Sequence, residues 1–269
     1  MMFTLAILNQ KGGVGKTTTA VTLAHGLALS GLRVLLVDLD AQGNVADALG
    51  LEKHGDLYRL LFDGSGSVAQ RSGRDGLDVI LGDKSTVEAK QRLTGMNFRE
   101  MALRAALDQV RGYDVCVLDV APGVDVLQVA ALVACDKFLI PVALDHLAVV
   151  GAADALASAV GLAKYTHCGT LAGVLPTFWE RQTREGQVQL ETLVEQFGNL
   201  VWPPVPRDTK AREAAAEGLT LWEYAPYCRA LRGVKIGDGH RGGYGRVLVR
   251  LVNSLPEGEN NAKEGNVAR

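Results

Sequence analysis

Two lysines stand close together in Asn9-Gln10-Lys11-Gly12-Gly13-Val14-Gly15-Lys16-Thr17-Thr18, and the glycines between them define the chemistry on offer. Backbone amides can turn inward on an anion only where side chains leave room. A run holding Gly12, Gly13 and Gly15 can therefore wrap a phosphate chain, with Val14 and Thr18 completing the loop. Lys16 brings a positive charge to the β and γ oxygens, and Thr17 brings a hydroxyl to Mg²⁺. An apolar run precedes the loop and a helical pattern follows it. The helix opening at Lys16 adds the positive end of its dipole to the same anion. The predicted ligands are ATP and Mg²⁺.

Three carboxylates fall where such a site needs them. Val37-Asp38-Leu39-Asp40-Ala41-Gln42-Gly43-Asn44 ends an apolar run in two aspartates. A carboxylate at a strand end beside a phosphate loop can orient the attacking water or the water shell of the metal. Farther along, Tyr113-Asp114-Val115-Cys116-Val117-Leu118-Asp119 is an apolar run closing in aspartate. Asp119 is the expected partner of Mg²⁺, reached through water because Mg²⁺ keeps much of its hydration. Thr17, Asp40 and Asp119 thus make up the predicted metal set, and Asp125 reads as a helix N-terminal residue.

The elements that must position these residues are legible in the alternation of the chain. Residues 3–8, 33–37, 77–81, 115–118, 137–142 and 171–175 are short apolar runs of strand length. Helical patterns lie at 16–30, 97–110, 124–134 and 147–164. Short strands that are apolar on both faces, separated by helices, predict an α/β fold: a doubly wound, mainly parallel sheet flanked by helices. Such sheets bind ligands beyond the carboxyl ends of their strands, where the motifs above fall. Residues 63–76 read as an exposed Gly/Ser-rich loop. Residues 1–253 are expected to form one domain, and the polar stretch 254–269 a disordered tail.

Composition excludes several alternatives. Apolar residues at 48% and charged residues at 22% suit a globular protein with a sizeable core. Cys116, Cys135, Cys168 and Cys228 include no C-x-x-C pair, which argues against a zinc site or a disulfide framework and suits a reducing cytosol. The first eight residues lack a basic region and run straight into the loop, so they read as a strand and not a signal peptide. No apolar stretch is long enough to cross a bilayer. A net charge of -2 gives the whole chain no pull toward nucleic acid, so any such binding needs a local basic patch.

The loop departs from G-x-x-x-x-G-K-[ST] because Gln10 stands where the first glycine belongs and Lys11 follows it. In this it resembles the deviant Walker A box of the ParA/MinD superfamily of P-loop NTPases. Asp38 to Asn44 is similar to the D-x-D-P-Q-G-N box of that family, with Ala41 in place of proline. Asp119-Val-Ala-Pro-Gly is similar to its D-x-A-P-G. Residues 76–83, 134–142 and 205–221 extend the resemblance over roughly residues 1–252. It implies ATP hydrolysis with Lys11, Lys16 and Asp40 as catalytic residues, Lys11 acting on the nucleotide of a partner subunit. Two facing triphosphates repel, and a unit-charge pair at about 4 Å is worth roughly 4 kcal/mol at an effective dielectric near 20. A lysine given across the interface would offset that repulsion and make dimerisation depend on ATP. The resemblance also implies that Pro206, Arg207 and Asp208 lie against the adenine, while the same residues can serve as a strand-to-helix turn with Asp208 as cap.

What the switch drives is open among three readings. The first is a DNA-partition motor, cytoplasmic and nucleoid-associated, whose ATP homodimer coats double-stranded DNA non-specifically until a ParB-like partner triggers hydrolysis. Arg181, Arg184, Lys210, Arg212, Arg229, Arg232, Lys235, Arg241, Arg246 and Arg250 make the last third of the chain basic. Of these, Arg184, Lys210 and Arg212 correspond to segments that bind DNA in relatives. The second reading is a relative that positions another cargo, a protein cluster or a conjugation complex. The third, a MinD-like membrane switch, needs a C-terminal amphipathic helix, which Pro256, Gly258 and Gly265 disfavour. With no segment ahead of the first strand to carry a helix-turn-helix, operator binding is not expected.

Overall fold

The first strand is apolar toward both faces, and this decides the architecture. Phe3, Leu5 and Ile7 enter one hydrophobic cluster while Ala6 and Leu8 enter another on the opposite side. A strand buried on both faces must sit in the middle of a sheet with helices above and below. The computed structural model describes residues 2–63, 69–145 and 148–256. Its main sheet contains β1 (Phe3–Ile7), β2 (Val34–Asp38), β3 (Gln70–Arg74), β4 (Leu77–Ile80), β5 (Val115–Asp119), β6 (Lys137–Ala143) and β7 (Thr170–Thr177). Their order is β3-β4-β2-β5-β1-β6-β7. All neighbours run parallel except β3 against β4. A separate hairpin is made by β8 (Val234–Ile236) and β9 (Gly239–Arg241).

The helices divide between the two faces. On one side lie α1 (Lys16–Leu29), α2 (Asn44–Leu49), α9 (Lys210–Ala216), α10 (Leu221–Tyr224), α11 (Arg229–Arg232) and α12 (Tyr244–Asn253). On the other lie α3 (Asp56–Phe62), α4 (Ser85–Thr94), α5 (Ala102–Leu107), α6 (Val126–Ala134), α7 (Ala148–Ala163) and α8 (Arg184–Phe197). The helix α1 is buried nearly all round, which its Ala, Leu and Gly content permits. At Gly26 an added Cβ would fall 2.9 Å from Leu248 and 3.1 Å from Trp222, so α12 and α10 pack directly on its backbone.

The predicted loop over 63–76 is corrected in part. Residues 64–68 lie outside the described residues, but 70–74 form the antiparallel edge strand β3, turned back on β4 at Gly76 with φ of +75°. An edge strand needs few apolar side chains, so its sequence carries no alternating signal. Arg74 points inward instead. It pairs with Glu223 at 2.9 Å and donates to the carbonyls of Leu49 and Gly218, tying the edge to α2 and α10. Of the predicted tail, residues 257–269 lie outside the described residues.

Glu223 also accepts from the amide of Thr220, whose hydroxyl meets His25 Nδ1 at 2.7 Å. Burial lowers the His25 pKa, opposed by Glu223 and reinforced by Arg74, so the fold holds the ring neutral. An unfolded histidine titrates near about 6.5. Below that pH the unfolded chain binds the extra proton, so this stability is complete above about pH 6.5 and is lost as pH falls toward the folded pKa. His25→Gln should therefore lose less of its Tm than the parent protein between about pH 7.5 and pH 5.5, measured by circular dichroism.

Candidate phosphate and metal site

The phosphate loop occupies the carboxyl end of β1, flanked by β5 and β6. Its shape comes from glycine and from anchors on neighbouring strands. Gly13 and Gly15 have φ of +73° and +87°, left-handed values that cost other residues energy. A Cβ on Gly12 or Gly13 would meet nothing within 4 Å, so the loop lies open above its amides. From β7, Thr177 Oγ1 donates to the Val14 carbonyl at 2.9 Å. From β6, the Pro141 carbonyl accepts from Asn9 Nδ2 at 2.8 Å, and Asn9 Oδ1 accepts from the Lys11 amide at 2.9 Å. Gln10 reaches Ser158 Oγ on α7 at 2.7 Å.

The two lysines point to different places. Lys16 is buried, and its ammonium donates to the Lys11 carbonyl at 3.0 Å, resting on the loop that would receive the phosphates. Burial lowers its pKa, while Asp119 and Asp40 act the other way. Lys11 does not line the cavity beside the loop. Its ammonium lies 2.6 Å from Asp145 Oδ2, just beyond β6, and the side chain keeps 37% of its exposure.

The carboxylates converge because β2 and β5 are neighbours in register, Asp38 opposite Asp119. Both are buried. Asp38 braces the turn after β2, accepting from the amides of Asp40 at 2.9 Å and Val45 at 3.2 Å. Burial raises its pKa well above the usual carboxylate range, and Asp119 adds to the effect. Asp40 is half-buried, lines the cavity and accepts from the Gln42 amide. Asp119 differs from both: neither carboxylate oxygen has a hydrogen-bond partner among the described residues. Burial pushes its pKa up to about 7 despite the opposing pull of Thr17 and Lys16, with Asp40 raising it further. A buried carboxylate with two free oxygens, beside the Thr17 hydroxyl and Asp40, fits a hard cation such as Mg²⁺.

A cavity of about 520 Å³ opens beside the loop. Gly12, Gly13, Gly15, Lys16, Thr17, Thr18 and Asp40 of the predicted phosphate and metal residues line it, whereas Val14 and Asp119 do not. Pro206, Arg207 and Asp208 do not line it. Arg207 pairs with Glu180 at 2.5 Å and stacks over Phe178, while Asp208 accepts from the amides of Lys210 and Ala230 as a helix-start residue. Asp125 caps α6 through the amides of Leu127 and Gln128, as expected. Phe178 was not foreseen. It lines the cavity with φ of +54°, its ring tip within contact of where a Gly15 side chain would be. The only cue in the sequence is an aromatic at the end of an apolar run. Asn44, from the acidic box after β2, and Ala211 and Thr220, from the segment 205–221, also line the cavity.

Residues 2–167 match the family model of an AAA domain. Over 224 residues the chain is 37% identical to the chromosome-partitioning ATPase Soj of Thermus thermophilus, covering 82% of this chain and 88% of the relative. Over 233 residues it is 35% identical to the sporulation initiation inhibitor protein Soj of Bacillus subtilis, covering 84% and 92%. The chain belongs to the Soj/ParA family of ATPases. Among solved structures, cobyrinic acid a,c-diamide synthase from Mycobacterium smegmatis with bound ADP and magnesium matches this ParA-family fold. The TM-score is 0.71 at 31% identity, covering 81% of this chain and 92% of that one.

The unpartnered Asp119 makes a prediction about stability. Without Mg²⁺ the ionised carboxylate is a buried charge with no hydrogen bond among the described residues, and an unsatisfied buried polar group costs about 1–3 kcal/mol. Asp119→Asn should stabilise the Mg-free protein by a similar amount at about pH 8, where the carboxylate is ionised, while losing Mg²⁺-dependent turnover. Urea unfolding in EDTA and a phosphate-release assay check the two halves.

Proposed function

We propose that this ATPase is a Mg²⁺-dependent switch that forms a homodimer around two ATP molecules. The dimer binds double-stranded DNA without sequence preference and, with a ParB-like activator, segregates a chromosome or plasmid. The observation that carries the reading is the divergence of the two lysines. Lys16 belongs to its own phosphate loop, whereas Lys11 leaves it, half exposed, its ammonium paired with the surface carboxylate of Asp145. A lysine so placed suits the triphosphate of a facing subunit. Exposed apolar side chains flank it. Val124 follows the Pro122–Gly123 turn whose Gly123 amide bonds the Gln10 carbonyl, and Val150 precedes Gly151, which packs on Asn9.

In the proposed reaction the amides of residues 12–18 hold the phosphates and Lys16 shifts from the Lys11 carbonyl to a phosphate oxygen. Thr17, Asp40 and Asp119 would hold Mg²⁺, which when bound neutralises developing charge on the phosphates. Asp40 orients the attacking water, and Lys11 of each subunit stabilises charge on the other's nucleotide. Bound ADP and magnesium in the Mycobacterium smegmatis synthase support the ligand assignment. Phe178 and Arg207, stacked on one another beside the loop, are the proposed boundary of the adenine site.

DNA contact is assigned to exposed Arg184, at the first turn of α8, and exposed Arg212 on α9; among the described residues neither pairs with a carboxylate. Lys210 is a weaker candidate, because its ammonium already meets Glu213 at 2.6 Å and lies over the Tyr224 ring.

Two measurements test the reading. In light scattering with saturating ATP and Mg²⁺, Asp40→Ala should double in mass while Lys11→Ala stays single; an Asp40→Ala protein that remains a monomer overturns the dimer. In a gel-shift titration, DNA should be bound with ATP and released with ADP. Affinity should fall by roughly 0.9 log unit per log unit of salt for each phosphate contacted. Arg184→Ala and Arg212→Ala should each make that slope shallower, and Lys210→Ala should do so less. Binding indifferent to nucleotide and salt overturns the DNA assignment.

A further inference from the structure

The second open feature of the molecule lies at the other end of α1. A groove of about 1270 Å³ runs between the carboxyl end of α1, the α10–α11 segment, the β8–β9 hairpin and the outer side of α12. Its walls are apolar and aromatic: Leu29, Trp222, Tyr227, Leu248 and Val249, with Pro203 and Pro226 at the margins. Leu29, Tyr227 and Val249 are 53%, 75% and 41% exposed, high values for side chains that share one groove.

Its charges are of one sign. Arg232, Arg246, Arg250 and His240 line the groove, and no Asp, Glu or Lys does among the described residues. A smaller cavity of about 460 Å³ continues it past His240, Arg246 and Arg250 to Arg241, again without a carboxylate. The arginines are not equally available. Arg250 donates to the carbonyls of Val201 at 3.0 Å and Asn199 at 2.6 Å and lies over the Trp202 ring, which makes it part of the frame. Arg232 stacks on Tyr227 with its guanidinium 4.2 Å from the ring centroid, leaving its edge free to donate. Arg246 is exposed and, among the described residues, forms no ion pair.

From this arrangement we propose that the groove is a docking site for an acidic segment of a protein partner, one carrying aliphatic side chains between its carboxylates. Composition and shape select this occupant. Protein interfaces are enriched in Trp, Tyr and Arg and depleted in Lys, Asp and Glu, which is the make-up of these walls. A surface for duplex DNA needs cations on a face that phosphates can reach, whereas here an apolar floor lies between the two free arginines. A small-molecule site typically encloses about 300–1000 Å³; this groove is larger and continues into a second cavity. Carboxylates on the segment would meet Arg232 and Arg246, and its aliphatic side chains would cover Leu29 and Val249. The site is separate from the phosphate loop, so it stands or falls independently of the dimer and of DNA binding.

The test uses the full chain without nucleotide and three fluorescein-labelled probes: a 14-residue peptide alternating Glu with Leu and Ala, the same peptide with Lys for Glu, and a 20-base-pair duplex. Anisotropy should show saturable binding of the glutamate peptide in the micromolar range and none of the lysine peptide. Arg246→Glu and Arg232→Glu, both at exposed positions, should each weaken it at least tenfold, with unchanged circular dichroism. Val249→Asp should do the same through the apolar wall. Equal binding of both peptides, or glutamate-peptide binding that survives all three substitutions, overturns the proposal. Displacement of the peptide by the duplex would make the groove a DNA surface. Nucleotide-free self-association that Arg246→Glu abolishes would make the occupant a second copy of the chain. Either result overturns it.

Discussion

Asp119 ends a strand buried on both sides, and among the described residues its carboxylate has no hydrogen-bond donor. An ionised group in that position is expensive, and folded proteins keep such groups when something binds to them. Much of the surrounding structure depends on this. Register between β2 and β5 sets Asp38 opposite Asp119. Asp38 spends its own oxygens on the backbone of the next turn, which presents Asp40 to the cavity. The site is therefore unsatisfied by construction, and a cation is the natural means of completing it.

The same reasoning explains the two lysines. Lys16 is buried and leans on a carbonyl of its own loop, a weak partner that a phosphate oxygen can replace. Lys11 has a stronger partner in Asp145, yet in a half-exposed position where solvent screens the pair. In the proposed dimer the triphosphate of the facing subunit would take the place of that carboxylate, offering several negative charges for one.

Phosphate loop and arginine groove are joined by one element. Residue 16 opens α1 at the loop, and Gly26, Leu29 and Ser30 at its far end line the groove. Fourteen helical residues span about 21 Å. The helix is buried nearly throughout, with α10 and α12 packed on the backbone at Gly26. A rigid rod with one end at each site gives the two features a common frame, although each has its own chemistry.

Local rules were sufficient wherever a residue's role follows from its neighbours in the chain. Glycines beside Lys16 and Thr17, an apolar run closing in Asp119, and strands alternating with helices made the fold, the glycine-rich loop after β1 and the acidic strand ends legible in the sequence. Edge strand β3 was not legible, because a strand with one free side needs no alternation and Arg74 finds its partners on α2 and α10. Phe178 reaches the cavity only because β7 lies two strands from β1, across β6. Asp145 meets Lys11 over a separation of 134 residues. The groove is assembled from α1, α10, α11, α12 and the hairpin, and its lack of carboxylates among the described residues is a property of no single segment. Sequence determined what each strand end carries; tertiary structure decided which ends meet, because packing joins residues that covalent order holds apart.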